Sequence, residues 1–246
     1  MHVVIVPSPV EGSEYVVDVM TARVTPTGPV VLGIAAGATP RLVYERFVQS
    51  GPDLREVDFV LLDEYLGLES DHGASFRHQI DTQLTTPLGI DRERVHSLDG
   101  LAVNSATECW RFESLISELG GVDWQLLGLG TNGHIAFNEP GSAHNSVTRM
   151  VELAEASRRA NQRAFADLES VPRYALTQGI GTIMGAGSLL LLAFGPDKAR
   201  AVRAMIEGPV TVAVPASALQ LHADATVVID RAAAALLEGV QTITSQ

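Results

Sequence analysis

Three short segments of this 246-residue chain carry side chains able to move protons or hold anions. In the first, Thr131-Asn132-Gly133-His134 and the nearby Glu139 set an imidazole between an amide and a carboxylate. A histidine oriented by such neighbours works as both acid and base near neutral pH. The second, Asp63-Glu64, offers two adjacent carboxylates. Neighbours on extended chain point to opposite sides, so one of the two is expected to face a cleft. Against low-dielectric walls its proton affinity would rise into the range useful for taking a proton from carbon. The third is the turn Ala36-Gly37-Ala38-Thr39-Pro40. Gly37 relaxes the backbone, Thr39 reads as a helix N-cap, and Pro40 suits the first helical turn. The free N–H groups and dipole of a helix starting at Gly37, Ala38 and Thr39 would attract an anion, phosphate being the obvious guest. Each segment also has a plainer reading: a histidine bonded in a tight loop, a capping or surface carboxylate, an ordinary capped turn.

The elements that must position these groups are visible as apolar runs. VVIV (3–6), VVLGIA (30–35), FVLL (59–62), WQLLGLG (124–130), LLLLAF (189–194) and ATVVI (225–229) are short and rich in Val, Leu and Ile. They are apolar at consecutive rather than alternate positions, the pattern of strands buried on both faces of a parallel sheet. Helical spacing is expected over 40–48, 105–119, 198–206 and 231–237. Strand and helix alternate, so the fold class is α/β: an open, mostly parallel sheet with helices on both faces. The three chemical segments each follow a strand, and parallel strands all end on one edge, where ligands bind. The stretch 139–185 has helical pieces and no convincing strand, and 149–178 reads as a helical lid over that edge. No linker or repeat divides the chain, so 1–246 is expected to form a single domain.

Exclusions narrow the chemistry. The loop after WQLLGLG contains a literal G-x-G-x-x-G, but Asn138 to Gly141 break any helix there, and 151–156 does not read as a second strand ending in an acid. The dinucleotide reading fails on both counts. No phosphate-loop, zincin or serine-nucleophile motif occurs, and His72 and His78 belong to no cluster with zinc spacing. Acid–base chemistry on an anionic small molecule, without metal or nucleotide cofactor, is expected. The formal net charge is −12, from 17 basic and 29 acidic residues, which argues against nucleic acid or an anionic membrane as partner. Hydrophobic residues at 46% fit a globular core. A single cysteine, Cys109, with no apolar run of membrane length and no signal-like N-terminus, points to the cytoplasm.

The segments LLDEYLGLESDHGASF, GLGTNGHIAFNEPG, VPRYALTQGIGTI and PASALQLH resemble those of the glucosamine-6-phosphate deaminases, and the likeness runs from about Val30 to Asp230. The resemblance implies a Rossmann-like three-layer fold, no cofactor, and conversion of glucosamine 6-phosphate and water to fructose 6-phosphate and ammonia. Carried over by motif, Asp63 would move the proton between C2 and C1. His134 would open the pyranose ring, with Asn132 and Glu139 orienting and tuning it. The substrate phosphate would rest on the Gly37–Thr39 turn, clamped by Arg163 from RRANQRAF and Lys198 from FGPDKA.

The chain departs from that pattern in places. Asn132 stands where many members have aspartate, so Glu139 alone would supply the negative charge beside an imidazolium, and a changed pH profile is expected. The turn reads AGATP where TGGTP or TGSTP is common. Some members are allosteric hexamers activated by N-acetylglucosamine 6-phosphate. Arg149 and Ser142 remain, but Val151 replaces a basic residue used there, so that activation is expected to be lost. A homo-oligomer stays open. The alternatives are a galactosamine-6-phosphate deaminase, a 6-phosphogluconolactonase, and a sugar-phosphate sensor without catalysis. The lactonase lacks the N-E-P-G continuation, and the sensor would need a DNA-binding segment.

Overall fold

The computed structural model describes residues 1–24 and 28–238. Each of the six apolar runs forms a strand: β1 (His2–Val6), β2 (Val30–Ile34), β3 (Val57–Leu61), β6 (Trp124–Gly128), β9 (Ser188–Ala193) and β10 (Ala225–Asp230). A two-residue strand that no periodicity marks, β5 (Val95–His96), completes a seven-stranded sheet in the order β1-β10-β9-β6-β2-β3-β5. Every pairing in it is parallel.

Consecutive apolar residues are explained by two cores, one on each face. Leu189, Leu191, Leu127 and Val227 point into the core that also holds Phe112, Ile183, Val202 and Met205. Leu190, Leu192, Leu126 and Val228 point into the other, with Val16, Met20, Val43, Tyr44 and Phe47. Full burial of each such side chain is worth roughly 1.5–3 kcal/mol, so both faces must be apolar. The first core is closed by α4 (Ser105–Glu118), α6 (Ile180–Met184) and α7 (Ala199–Ile206), the second by α1 (Pro9–Val24) and α2 (Ala38–Ser50). The result is the expected three-layer arrangement. Helix α4 begins where its sequence suggests, with the Asn104 side chain accepting from the Thr107 N–H at 3.0 Å. No periodicity marked α1, because half of its buried face is Gly12 and Ser13 rather than large apolar residues.

Three local expectations are corrected. Helix α2 starts at Ala38, and its N-cap is Gly37 at φ 109°, not Thr39; the chain enters the helix through a conformation that a residue with a Cβ rarely adopts. Residues 231–237 form successive turns instead of a helix: the Asp230 carboxylate takes the Ala233 N–H at 2.8 Å as a cap would, but the backbone bonds that follow close separate turns and do not continue as a helical ladder. The stretch 139–185, expected to lack strands, contains β7 (Arg149–Glu152) and β8 (Tyr174–Thr177). These pair antiparallel with each other and, through β8, with β4 (Asp63–Tyr65), forming a second, three-stranded sheet. Segment 149–178 is therefore helical only in its middle, at α5 (Glu155–Asn161) and one 3-10 turn (Gln162–Ala164), and is tied down by strands at both ends. Between β4 and β5 lies the short helix α3 (Phe76–Ile80).

No helix among the described residues is long and apolar enough to cross a membrane.

Candidate active site

The sheet order fixes where the chemistry can gather. From β2 the chain moves outward through β3 to β5, then returns to β6 on the other side of β2 and proceeds through β9 to β10. The switch point lies between β2 and β6, and in open α/β sheets it is at the C-terminal edge beside such a point that ligands bind. The turn at Gly37–Thr39 follows β2, and the loop with Asn132 and His134 follows β6. Asp63 follows β3 across Leu62, and Lys198 follows β9. Four adjacent central strands thus deliver the candidates to one edge. Its width is about 14 Å, at roughly 4.8 Å per strand spacing.

The loop after β6 is built around its histidine. The Gly130 N–H donates to the His134 carbonyl at 2.9 Å, and the Gly133 N–H to the Gly130 carbonyl at 3.0 Å. The imidazole then lies on the Gly130 backbone, where an added Cβ would come within 2.3 Å of the ring. The turn continues through Ala136 at φ 49°, the one non-glycine residue with positive φ among those described. Such strain persists only where surroundings impose it. Here they are specific. The Asn138 amide donates to the Ile135 carbonyl (3.1 Å) and the Gln178 carbonyl (2.8 Å), and its oxygen accepts from Arg149 (2.8 Å). The Phe137 N–H donates to the Thr177 hydroxyl at 3.2 Å. Asn138 lies inside the sequence motif without a role assigned to it; its part is to bolt this loop to β7 and to the end of β8.

Asn132, His134 and Glu139 come together as expected. The Asn132 amide donates to Glu139 Oε2 at 2.7 Å, and its carbonyl accepts the His134 backbone N–H at 3.2 Å. His134 Nδ1 stands 3.5 Å from Glu139 Oε1, within ionic attraction, but it is buried without a hydrogen-bond partner. Ser157 of α5 donates its hydroxyl to that same Oε1, a contact the sequence does not announce. Burial alone would raise the Glu139 carboxyl, but the imidazole of His134, then Ser157 and Asn132, outweigh it and hold it at about 2. A carboxylate that accepts several bonds stays ionised at any working pH.

The two acids of β4 divide as their alternation demands. Glu64 is buried and spent on structure: it accepts from the Ser75 hydroxyl (2.7 Å) and from the N–H groups of Tyr65 (2.9 Å), Phe76 (3.1 Å) and Arg77 (3.0 Å). It thereby caps α3. Asp63, only 8% exposed, has no hydrogen-bond donor among the described residues. Burial, and next the charge of Glu64, push its carboxyl well above the usual range. A buried carboxylate without donors is a strong base held ready.

The anion-binding candidates are placed with less symmetry. Gly37 and Thr39 are half-buried and Ala38 is exposed at the start of α2. The Tyr44 hydroxyl pins the preceding strand end by donating to the Ala35 carbonyl at 2.7 Å. Lys198 closes a 3-10 turn after β9 and stands 3.7 Å from Asp197. Arg163 is exposed on the segment between β7 and β8, without an ion-pair or hydrogen-bond partner among the described residues. That segment is also held by aromatic contact, as the Phe165 ring meets Tyr65 edge-on with centroids 5.6 Å apart. Among the described residues no group of three His, Cys, Asp or Glu side chains is arranged to hold a metal.

Residues 10–228 match a family model described as glucosamine-6-phosphate isomerases/6-phosphogluconolactonase. A glucosamine-6-phosphate deaminase of Streptomyces coelicolor is 45% identical over 97% of this chain and 93% of its own length. One from Clostridium perfringens is 38% identical over 97% of this chain and 100% of its own length. Among solved structures, a monomeric glucosamine-6-phosphate deaminase superposes with a TM-score of 0.94 at 39% identity, covering 96% of this chain and 100% of that one. A 6-phosphogluconolactonase of Trypanosoma cruzi shares the fold, with a TM-score of 0.80 at 21% identity over 97% of each chain.

Proposed function

Because this chain belongs to the family of glucosamine-6-phosphate isomerases and 6-phosphogluconolactonases, we infer that it deaminates glucosamine 6-phosphate, giving fructose 6-phosphate and ammonia with uptake of one water. The observation that carries this reading is the likeness to a deaminase of known structure along 96% of this chain, at 39% identity. The lactonases share the fold at 22% identity or less, which supports no claim to their reaction.

The chemistry follows from what the two catalytic groups can do. The cyclic sugar must open first. His134 takes the proton of the C1 hydroxyl and delivers one to the ring oxygen as the C1–O5 bond breaks, leaving an aldehyde at C1. Glu139 and Asn132 hold the imidazole for this exchange. Asp63 then removes the proton from C2. The C2–H electrons form a C1–C2 double bond, and the C1 oxygen takes a proton from the substrate's ammonium at C2, leaving a neutral enolamine. Return of the proton from Asp63 to C1 moves the unsaturation to C2, as an iminium. Water adds there, ammonia leaves, and the C2 ketone remains. The raised proton affinity of Asp63 suits the carbon acid. Its uncompensated charge would meet the amino group of the bound substrate at C2.

The phosphate end has its own cradle in this reading. The N–H groups at Gly37, Ala38 and Thr39 receive the phosphate oxygens at the start of α2. Lys198 supplies a point charge and Arg163 a fork. Arg163 rides on segment 149–178, which serves as a lid over the sugar. Chain 1–246 acts as a single catalytic unit on this amino-sugar phosphate.

The test is ammonia release. With glucosamine 6-phosphate supplied, ammonia and fructose 6-phosphate should appear in equal amounts. Turnover of the phosphogluconolactone without ammonia from the amino sugar would replace this reading by the lactonase one. Binding of the amino sugar without turnover would replace it by a sensor. Faster ammonia release from galactosamine 6-phosphate would reassign the epimer.

A further inference from the structure

Glu139 is approached from two separate parts of the chain. Asn132 and His134 belong to the loop after β6, whereas Ser157 belongs to α5, 18 residues beyond Glu139 and inside segment 149–178. The serine hydroxyl and the imidazole address the same oxygen. Ser157 bonds Oε1, while His134 Nδ1 stops 3.5 Å from it, buried and without a hydrogen bond. A carboxylate oxygen has lone pairs for two donors, but each bond accepted reduces what is left for the next.

We propose that Ser157 is a positioning residue: by holding Glu139 Oε1 it weakens the grip of Glu139 on a protonated His134, and so couples segment 149–178 to proton release from the imidazole. With Ser157 on Glu139, Oε1 already accepts one donor, and Nδ1 of His134 stays 3.5 Å away without closing a hydrogen bond. Without the Ser157 hydroxyl, Oε1 is free to accept the Nδ1–H, and Glu139 grips the protonated imidazole more tightly. The functional half of this rests on the deaminase reading; the electrostatic half does not.

The surroundings contain few rivals for the effect. The charged group acting on Glu139 is His134 itself. Asn132 faces the carboxylate with a neutral amide and Ser157 with a neutral hydroxyl. On α5, Arg159 is paired with Glu155, and Arg158 donates to the carbonyls of Leu168 and Val171. On β7, Arg149 is bonded to Asn138 and Ser142. At Gly133 the loop meets the apolar side chain of Val214.

The experiment compares Ser157→Ala and Ser157→Thr with the parent enzyme by two readouts. One is the titration midpoint of the His134 ring, followed by NMR in the free protein. The other is the pH dependence of kcat and KM for ammonia release. Loss of the hydroxyl should strengthen proton binding to His134 by roughly three- to tenfold. The midpoint and the matching limb of the kcat profile should both move to higher pH, with KM changed less than kcat. Ser157→Thr, which keeps a hydroxyl, should restore both. An unmoved or lowered midpoint in Ser157→Ala, or a threonine variant that behaves like alanine, overturns the proposal. A raised midpoint in a protein that releases no ammonia would uphold the coupling and remove the deaminase reading instead.

Discussion

Asp63→Asn separates chemistry from stability. In the folded protein the Asp63 carboxyl is buried without a donor, and burial and Glu64 raise its proton affinity. A carboxylate raised in this way binds a proton more tightly folded than unfolded. Its ionisation therefore costs stability as pH rises from the unfolded carboxylate value through the folded one, and the whole cost is present above the latter. Asparagine keeps the shape and removes the charge. A buried polar group without a partner costs about 1–3 kcal/mol, and a charged one more. Asparagine still bears the neutral part of that cost. A net gain of about 1–2 kcal/mol at pH 7 is expected, which for a chain of this size raises Tm by roughly 2–8 °C. The gain should shrink toward zero as the pH is lowered to the point where Asp63 is protonated in both states. Over the same substitution kcat should fall by about 10²–10⁴-fold, the usual worth of a positioned base, while substrate binding stays measurable. The assay is ammonia release at saturating substrate beside thermal melts across pH. Retained kcat would remove Asp63 from proton transfer. A variant less stable than the parent at pH 7 would refute the account of its environment.

Further substitutions test the surrounding parts. Arg163→Ala should raise KM roughly tenfold with little change in kcat, since a phosphate grip acts alike on ground and transition states; an unchanged KM would exclude Arg163 from that grip. Asn132→Asp removes a donor from Glu139 and adds a like charge beside it, so the His134 limb of the pH–rate profile should move to higher pH; an identical profile would refute the role given to the amide. Glu64→Ala leaves the Ser75 hydroxyl and three N–H groups, two of them buried, without their acceptor and should cost roughly 3–5 kcal/mol, read as a lower Tm; a loss below about 1 kcal/mol would contradict its capping of α3.

The parallel sheet was legible because both of its faces are buried. LLLLA can alternate between two cores only if every position is apolar, and that pattern survives without any neighbour being known. The same logic explains what was hidden. Strand β7 is an edge strand with residues such as Arg149 and Glu152, and its pairing with β8 is a contact across more than twenty residues. The alternation rule said that Asp63 and Glu64 would point apart, and their contacts differ: Glu64 is bonded to Tyr65 and to Ser75 through Arg77, Asp63 to none of these. Which of them would be free was decided at Ser75 to Arg77, eleven to thirteen residues away. The loop at Asn132 to Glu139 was readable as a cluster because its members are close in sequence. Ser157 was not, because one hydroxyl on a helix carries no signal until the helix has been placed. Thr39 was misread as a cap because capping statistics favour its hydroxyl, whereas the turn needed the positive φ of Gly37.

The central claim is that Asp63 and His134 work on a single hexose, with its phosphate at the start of α2. A crystal structure with an unreactive analogue of glucosamine 6-phosphate measures this directly. The account predicts one sugar whose C2 lies about 3–3.5 Å from an Asp63 oxygen, whose ring oxygen lies at His134, and whose phosphate receives the N–H groups at Gly37 to Thr39. A sugar that reaches His134 while its C2 remains out of contact with Asp63, with the enzyme fully active, would contradict it.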